Sequence, residues 1–223
     1  IPEFQARVRT ALRMRLLQEE LRQTNERLAR LALTDELTGL CNRRGFDVAL
    51  QDELWRAQRF GHSLSVLMFD LDRFKNINDQ WGHPQGDVVL QAFGQVLLES
   101  SRHVDKVGRY GGEEFAVVLP ATAAAGAVSY ADKVRAATEA LAIPCTLCAS
   151  GSTGAGNTGP LRITVSGGAA VALALPRSGG EVDALDMAKL ANRLLHEADS
   201  CLYQAKDAGR NRVVVKTVHN LST

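Results

Sequence analysis

The chain has 223 residues, of which 45% are hydrophobic and 23% charged, and its formal net charge at pH 7 is +1. This length suits one globular domain of average size with an appended segment. The small charge disfavours a protein whose main partner is nucleic acid, because neutralising a phosphate backbone requires a marked basic excess. No apolar run approaches the length of a transmembrane helix and the start does not read as a signal peptide, so we expect a cytoplasmic chain with no membrane segment in this fragment.

The N-terminal region is predicted to form one long helix. From about Arg7 it is charged and lacks Gly and Pro, and small or apolar side chains recur at alternating steps of three and four residues: Met14, Leu17, Leu21, Thr24, Leu28 and Leu31. Such a seam predicts a parallel two-stranded coiled coil. The alternative, a helix packed on its own domain, is disfavoured because the polar sides are rich in Arg, Gln and Glu. We therefore divide the chain into a coiled-coil helix (residues 1–33), a globular domain (34–217) and a tail (218–223).

A junction segment follows the seam. Residues 33–44 read LTDELTGLCNRR, and their Asp and Thr side chains can cap a helix while Gly39 interrupts it. Beyond the junction, residues 46–60 predict a new amphipathic helix. The coiled coil is therefore expected to end at about Leu33.

Two pairs of acidic residues follow predicted strands. Residues 64–69 form an apolar run that suits a buried strand ending just before Asp70 and Asp72. Glu113 and Glu114 follow a Gly-Gly pair between two short apolar segments, 104–110 and 115–119, and such a pair supplies the positive φ angles of a two-residue hairpin. Carboxylates on neighbouring strand ends are the oxygen ligands that Mg²⁺ takes together with substrate phosphates.

The rest of the chain alternates helices with strands. We predict helices at residues 84–100, 124–141 and 185–208, and strands at 161–166 and 212–216. Because the hairpin forces one antiparallel pair, the sheet should be mixed. Residues 144–160 are rich in Gly, Ser and Thr and predict a mobile surface loop. Its Cys145 and Cys148 are interpreted as incidental thiols, because no further ligands at zinc-site spacing accompany them.

Four motifs together resemble the GGDEF family of diguanylate cyclases. The stretch RYGGEEF (residues 109–115) resembles the family signature in its Glu variant, and DLDRFKNINDQWGHPQGD (70–87) resembles its nucleotide-binding stretch almost position for position. Residues 35–44 and 202–211 are similar to its junction and closing motifs. The resemblance covers residues 35 to about 215 and implies a ferredoxin-like, palm-type α/β (α+β) core with a mixed central sheet. It also implies an upstream sensor or receiver domain, which we expect this fragment to lack.

The resemblance implies an enzyme that condenses two GTP molecules into cyclic di-GMP and pyrophosphate. Its active form would be a homodimer of facing half-sites, each holding one GTP and two Mg²⁺ ions, with Mn²⁺ as an alternative. By position, Asp70 and Glu113 would be the side-chain metal ligands, and Leu71 would offer its carbonyl oxygen. Glu113 would also help to deprotonate the attacking 3′-hydroxyl, with Lys75 as a second catalytic residue. The supporting residues would be Glu114, Gly111 and Gly112.

The residues that the resemblance assigns to nucleotide binding are Arg73, Phe74, Asn78, Asp87, Lys206 and Arg210. The first two would donate backbone N–H groups to phosphate. Lys206 and Arg210 lie four residues apart near a predicted helix end, so they would share one helix face and reach one phosphate chain. The alternative is a basic helix C-terminus favoured by the dipole. Asn78 and Asp87 match the guanine-reading pair, since a carboxylate accepts from the N–H groups of guanine's edge.

A second binding site is implied by Arg102 and Asp105, which match the family's Arg-x-x-Asp motif for product inhibition. A guanidinium can hold a guanine or a phosphate bidentately. The alternative is a simple surface ion pair. Another arginine often completes this site in the family, and the sequence leaves open whether Lys133 or Arg135 takes that place.

Two rival functions remain. One is a catalytically inactive domain that binds cyclic di-GMP as a receptor at Arg102 and Asp105, which is disfavoured because every implied acid and phosphate contact is present. The other is a cyclase with an adenine-containing product, which Asn78 and Asp87 disfavour. One position departs from the family pattern, because Gly167 stands where an aliphatic residue is usual. We expect that glycine to weaken the packing of its strand.

Overall fold

The computed structural model describes residues 12–20, 22, 33–145, 159–173 and 184–218. The domain has five helices and a five-stranded sheet within these ranges. The helices are α1 (Arg43–Phe60), α2 (Phe74–Trp81), α3 (His83–Ser100), α4 (Ala124–Ala140) and α5 (Ala184–Asp207). The strands are β1 (Leu64–Leu71), β2 (Lys106–Arg109), β3 (Glu114–Pro120), β4 (Val165–Ala172) and β5 (Val213–Val218).

The sheet has the order β2-β3-β1-β4-β5 and is mixed, as predicted. Strand β1 pairs antiparallel with β3 and with β4, whereas β4 and β5 are parallel. All eight residues of β1 are buried, as expected for a central strand that is covered on both faces. The register sets Asp70 opposite Glu114 on one side and opposite Ser166 on the other. The acidic ends of β1 and β3 therefore meet at one edge of the sheet.

Alternate residues of β1 point into two separate cores. Leu67 and Phe69 belong to the core under α3 and α4, where the ring of Phe93 lies 6.3 Å from Phe69 and 4.8 Å from Phe115. Val66 and Met68 belong to the core under α1 and α5. Successive side chains of a strand point to opposite faces of the sheet. A continuous apolar run therefore predicts a strand that is buried on both faces.

Several predicted boundaries were wrong. Helix α2 was not predicted, although Phe74, Ile77 and Trp81 recur at helical spacing and pack against the first core. The fourth strand was predicted at residues 161–166 but runs from Val165 to Ala172. Leu161 instead forms an isolated bridge with Ile143. The other element ends differ by at most three residues from the prediction.

The two glycines of β4 have packing reasons. A Cβ at Gly167 would lie 2.9 Å from the ring of Phe69, so the ring fills the space that a side chain would take. The expected packing defect is therefore wrong, and all of β4 is buried. A Cβ at Gly168 would overlap the backbone of α5 at Ala198 and Leu202. Gly168 thus lets α5 lie directly on β4.

The N-terminal helix is confirmed over residues 12–20 and 22, and its large apolar side chains are exposed: Leu12, Met14, Leu16 and Leu17. The rest of the predicted seam, from Leu21 to Leu31, lies outside the described residues. So does most of the predicted 144–160 loop, including Cys148. In the described part of the chain, no helix is both long enough and apolar enough to span a membrane.

Candidate active site

The acidic edge of the sheet brings Asp70, Glu113 and Lys206 together. Asp70 is the penultimate residue of β1 and is 6% exposed. Its Oδ2 lies 2.8 Å from the Lys206 Nζ of α5. The Leu71 N–H donates to the Glu113 carbonyl oxygen at 3.4 Å, which fixes the loop beside the strand end. A carboxylate pair and one ammonium group therefore lie within electrostatic reach of one another.

The electrostatics of this edge favour a bound cation. Burial raises the pKa of Asp70, although Lys206 opposes the shift. Burial and the charge of Asp70 raise the pKa of Glu113. The described residues contain no group of three or more His, Cys, Asp or Glu side chains that could hold a metal ion. Two carboxylates with a carbonyl oxygen nevertheless fit Mg²⁺, which keeps several waters and takes further oxygens from phosphates.

The Gly-Gly turn differs from the prediction. Four residues, not two, connect β2 to β3, and neither Gly111 nor Gly112 has a left-handed φ angle. A Cβ at Gly111 would meet the carboxylate end of the Glu114 side chain, which would have to move aside. At Gly112 a Cβ would meet no atom within 4 Å. Nothing within the described domain therefore demands glycine at Gly112, and open space lies over this part of the loop.

Arg109 ties the loop to the junction segment. Its Nη2 and Nε donate to the Gly112 carbonyl oxygen at 2.7 and 3.1 Å, and its Nη1 lies 3.2 Å from Asp35 Oδ2. Burial opposes ionisation of Asp35, but hydrogen bonds from Thr38 and the charge of Arg109 outweigh it and lower the pKa of Asp35. No local sequence pattern marks this brace, which joins residues 74 positions apart.

Asp72 has a different role from Asp70. It accepts hydrogen bonds from Thr164 Oγ1 at 2.7 Å, from Ser166 Oγ at 2.7 Å and from the Asn211 N–H at 3.0 Å. The residue is 7% exposed. Three donors already use its oxygens, so the second acid of the strand end is a structural anchor between β1, β4 and the turn after α5.

The shared helix face predicted for Lys206 and Arg210 is wrong. Helix α5 ends at Asp207, and Gly209 then has a φ of 113° that stops it. Arg210 follows with a left-handed φ of 64°. Burial raises the pKa of Asp70, and the charge of Arg210 is one of the influences that oppose this rise, so the guanidinium lies within electrostatic reach of the acidic edge.

The residues implied in phosphate and base binding that follow β1 lie at the start of α2 and on α2 and α3. Arg73 is the left-handed N-cap residue of α2, and Phe74 begins that helix and is buried. A Cβ at Gly86 would collide with Asn78 Oδ1, so the Asn78 amide lies over the first turns of α3, beside Asp87. Asp87 does not cap α3, because the N-cap is Gly82.

Lys75 stands apart from the acidic edge. It is exposed on the first turn of α2. Within the part of the chain that the structure describes, no hydrogen bond or ion pair joins it to Asp70 or Glu113.

Arg102 and Asp105 line a second cavity, of about 380 Å³, between β3 and α4. Two side-chain nitrogens of Arg102 bond the Asp105 carboxylate at 3.0 and 3.3 Å, and Nη2 also donates to Thr122 Oγ1 at 2.9 Å. Lys133 lines the same cavity and donates to the Ser100 carbonyl oxygen at 3.1 Å. Arg135 does not line the cavity. Its Nη1 contacts Glu139 instead.

The arrangement agrees with a comparison against protein families. Residues 32–173 match the family described as diguanylate cyclase, GGDEF domain. The chain belongs to this family. The match begins two residues before the predicted domain boundary and ends at the first residue after β4.

Individual GGDEF proteins are similar over most of this chain. The response regulator PleD of Caulobacter vibrioides is 38% identical over 216 residues, which are 96% of this chain and 42% of PleD. A solved structure of the coiled coil and GGDEF domain of DgcB from Caulobacter crescentus, in complex with c-di-GMP, is 30% identical with a TM-score of 0.74. It covers 92% of this chain and 99% of that one.

A GGEEF domain of a Vibrio cholerae diguanylate cyclase, described as active, is 30% identical with a TM-score of 0.62. That match covers 79% of this chain and 97% of the Vibrio domain. The present chain spans less than half the length of the curated relatives to which it is similar.

Proposed function

We propose that this GGDEF domain is a diguanylate cyclase that converts two GTP molecules into cyclic di-GMP and two pyrophosphates. The proposal is carried by the convergence of Asp70, Glu113 and Lys206 at one sheet edge of a chain in this family. In each half-reaction a 3′-oxygen attacks the α-phosphorus of the other nucleotide and pyrophosphate leaves. The proton of the hydroxyl passes to Glu113, whose raised pKa suits a base.

The metal would be Mg²⁺, or Mn²⁺ as the alternative, two ions per half-site. These ions would be held by the carboxylates of Asp70 and Glu113 and by the carbonyl oxygen of Leu71. A bound divalent ion would lower the pKa of the attacking hydroxyl and neutralise phosphate charge.

The other residues would bind and orient GTP. Lys206 would exchange Asp70 for a phosphate oxygen, and Arg210 would hold the same phosphate chain. Lys75 would contribute a further positive charge from the start of α2. The backbone N–H groups of Arg73 and Phe74 would donate to phosphate, while Asn78 and Asp87 would bind the guanine edge. Open space at Gly112 supports a nucleotide over the loop.

Product identification tests the proposal. The purified chain is incubated with GTP and Mg²⁺ over a range of protein concentrations, and nucleotides are separated by chromatography, with ATP in a parallel reaction. We expect cyclic di-GMP and pyrophosphate from GTP alone. A product that contains adenine would contradict the base contacts at Asn78 and Asp87.

A receptor for cyclic di-GMP is the second candidate, and the cavity at Arg102 and Asp105 is the observation that favours it. Binding of cyclic di-GMP without turnover of GTP at any protein concentration would establish the receptor and refute the cyclase. Turnover with inhibition by the product that is lost when the cavity residues are substituted would show that the cavity regulates the enzyme.

Loss of the cavity's two exposed cations should abolish that regulation. We expect Arg102→Ala combined with Lys133→Ala to weaken cyclic di-GMP binding by at least about tenfold, because charge-assisted hydrogen bonds to the ligand are lost. Isothermal titration calorimetry measures the affinity. Arg135→Ala is the matched control, since it removes a cation of the same helix that does not line the cavity. An equal loss in both variants would contradict this use of Lys133.

We further propose that two domains face each other and that the N-terminal helix joins them as a coiled coil. A symmetric product built from two GTP molecules requires two half-sites, and exposed apolar side chains on the helix support pairing. The tether would raise the effective concentration of each half-site.

A substitution in the seam tests the tether. Leu17→Glu should lower specific activity in dilute protein by about tenfold or more, with recovery at high concentration. Leu16→Glu is the control, because Leu16 is also exposed, at 71% against 57% for Leu17, but lies off the seam. Activity that depends equally on concentration in both variants would refute the coiled-coil tether. Sedimentation of both variants reports their association directly.

A further inference from the structure

Three side chains join the end of α4 to the turn after α5. Arg135 Nη1 donates to Glu139 Oε2 at 2.9 Å and to Asn211 Oδ1 at 3.3 Å. Asn211 Nδ2 in turn donates to Glu139 Oε1 at 3.1 Å. The three contacts close a ring of hydrogen bonds, and Arg135 Nε also lies 3.8 Å from Asp132 Oδ1. The Arg135 side chain is 25% exposed and that of Glu139 is 53% exposed, so the ring lies at the surface and is partly shielded at its guanidinium.

The same turn is also held by its backbone. The Asn211 N–H donates to Asp72 Oδ2 at 3.0 Å, and that carboxylate is fixed by Thr164 and Ser166. Asn211 is therefore anchored through its side chain to α4 and through its main chain to the end of β1. Neither anchor is local, because Arg135 and Asp72 lie 76 and 139 positions away in the sequence.

The backbone of the turn explains why such anchoring is needed. Arg210 and Asn211 have φ angles of 64° and 47°, in the left-handed region. Asn adopts this conformation readily, but Arg does not. Residues in sparsely populated conformations persist when their surroundings fix them, and such residues cluster at functional sites. The anchors on Asn211 thus hold the conformation of its neighbour Arg210.

We infer that Arg135, Glu139 and Asn211 are positioning residues that hold Arg210 in the conformation that binds GTP phosphates. The inference rests on the proposed function, in which Arg210 contacts the phosphate chain. It is supported by position, because Arg210 lies in the turn that follows α5, the helix whose Lys206 contacts Asp70 at 2.8 Å. The three residues act through Arg210 and are not themselves assigned to the nucleotide. Arg135 was one of two candidates for the product cavity in the sequence. The role inferred for it is a different one, outside that cavity.

The ring can be broken by one substitution and rebuilt by a second that restores the net charge. Asn211→Asp keeps the size of the side chain, its tolerance of a left-handed φ and its acceptor for Arg135. It removes the N–H donor to Glu139 and places the new carboxylate next to the Glu139 carboxylate, so the two negative charges repel each other. Glu139→Gln in the same chain restores a donor, because the Gln amide can bond the new carboxylate. The double variant has the parent's net charge, with amide and carboxylate exchanged.

The measurements separate affinity from chemistry. We use binding of a non-hydrolysable GTP analogue with Mg²⁺, and the kcat and half-saturating GTP concentration for product formation. Asn211→Asp should weaken analogue binding and raise half-saturation by about three- to tenfold, with kcat within about twofold, because a loosened Arg210 loses ground-state contacts. The double variant should recover most of the affinity. Lys189→Ala, which removes an exposed ion pair on α5, should change nothing.

Each outcome decides the inference. Unchanged analogue affinity and half-saturation in Asn211→Asp would overturn it, even if thermal unfolding shows a loss of stability, because the ring would then be a structural staple only. Affinity that falls and is not recovered in the double variant would also overturn it. If Asn211→Asp does not fold, Arg135→Gln carries the same comparison. Absence of cyclic di-GMP from the parent would refute the proposed function, whereas analogue binding would still test the ring.

Discussion

Replacing Glu113 by Gln is expected to lower the rate of cyclic di-GMP formation by roughly 10²- to 10⁴-fold, the usual contribution of a general base. The change keeps the size of the side chain and its place in the loop after Gly112. It removes a proton acceptor and one of two carboxylates available to a cation. Burial and the charge of Asp70 raise the pKa of Glu113, so this carboxylate gains more from a nearby cation or proton than a solvated one.

The adjacent acid gives the matched comparison. Glu114→Gln should have a much smaller effect, because Glu114 is the first residue of β3 and its side chain packs against Gly111. Initial rates of pyrophosphate release at saturating GTP and Mg²⁺ measure both variants, and unfolding midpoints verify that both fold. If Glu113→Gln keeps more than a tenth of the parent rate, Glu113 is neither base nor essential metal ligand. Equal losses in both variants would indicate a general disturbance of the hairpin.

The central strand shows why much of the fold could be predicted. The apolar run of β1 is long enough for a strand and too continuous for a solvated face, so both its burial and its polar end follow from local pattern. The convergence of Asp70 with Glu113 came from motif resemblance, and the register of β1 with β3 brings those two strand ends together. The mixed sheet followed from a single hairpin, even though its turn was predicted with the wrong length.

The parts that could not be predicted depend on contacts between distant residues. Arg109 contacts both Gly112 and Asp35. Contacts of this kind do not produce a periodic pattern in the sequence, so they cannot be predicted from it. The Gly-Gly pair predicts positive φ angles from local sequence alone. In the structure Gly111 has no such angle and instead leaves space for the side chain of Glu114. Arg210 lies outside the helix because α5 ends at Asp207 and Gly209 follows with a left-handed φ, whereas the spacing from Lys206 suggested a shared helix face.

Uncharged substitutions of Asp70 and Asp72, the two acids at the end of β1, should have opposite effects on the free energy of unfolding. Asp72→Ala is expected to lower the free energy of unfolding by about 3 to 5 kcal/mol, because three donors lose a buried charged acceptor at once. Thr164 and Ser166 would be left without that partner, and the turn at Asn211 would lose its backbone anchor. Urea denaturation, with a common slope for both proteins, measures the difference.

Asp70→Asn is the control two residues away on the same strand end. The folded pKa of Asp70 is raised, so at neutral pH its ionised carboxylate is less stable in the folded domain than in the unfolded chain. That cost is present above the raised pKa and disappears below the ordinary value for Asp. Asp70→Asn should therefore keep or raise stability at pH 7 while it removes activity, as expected where a site holds a charge for function. A loss of stability from Asp70→Asn as large as that from Asp72→Ala would contradict this prediction. Both carboxylates would then stabilise the fold, and Asp70 would not be a charge that destabilises the domain and is kept for binding a cation.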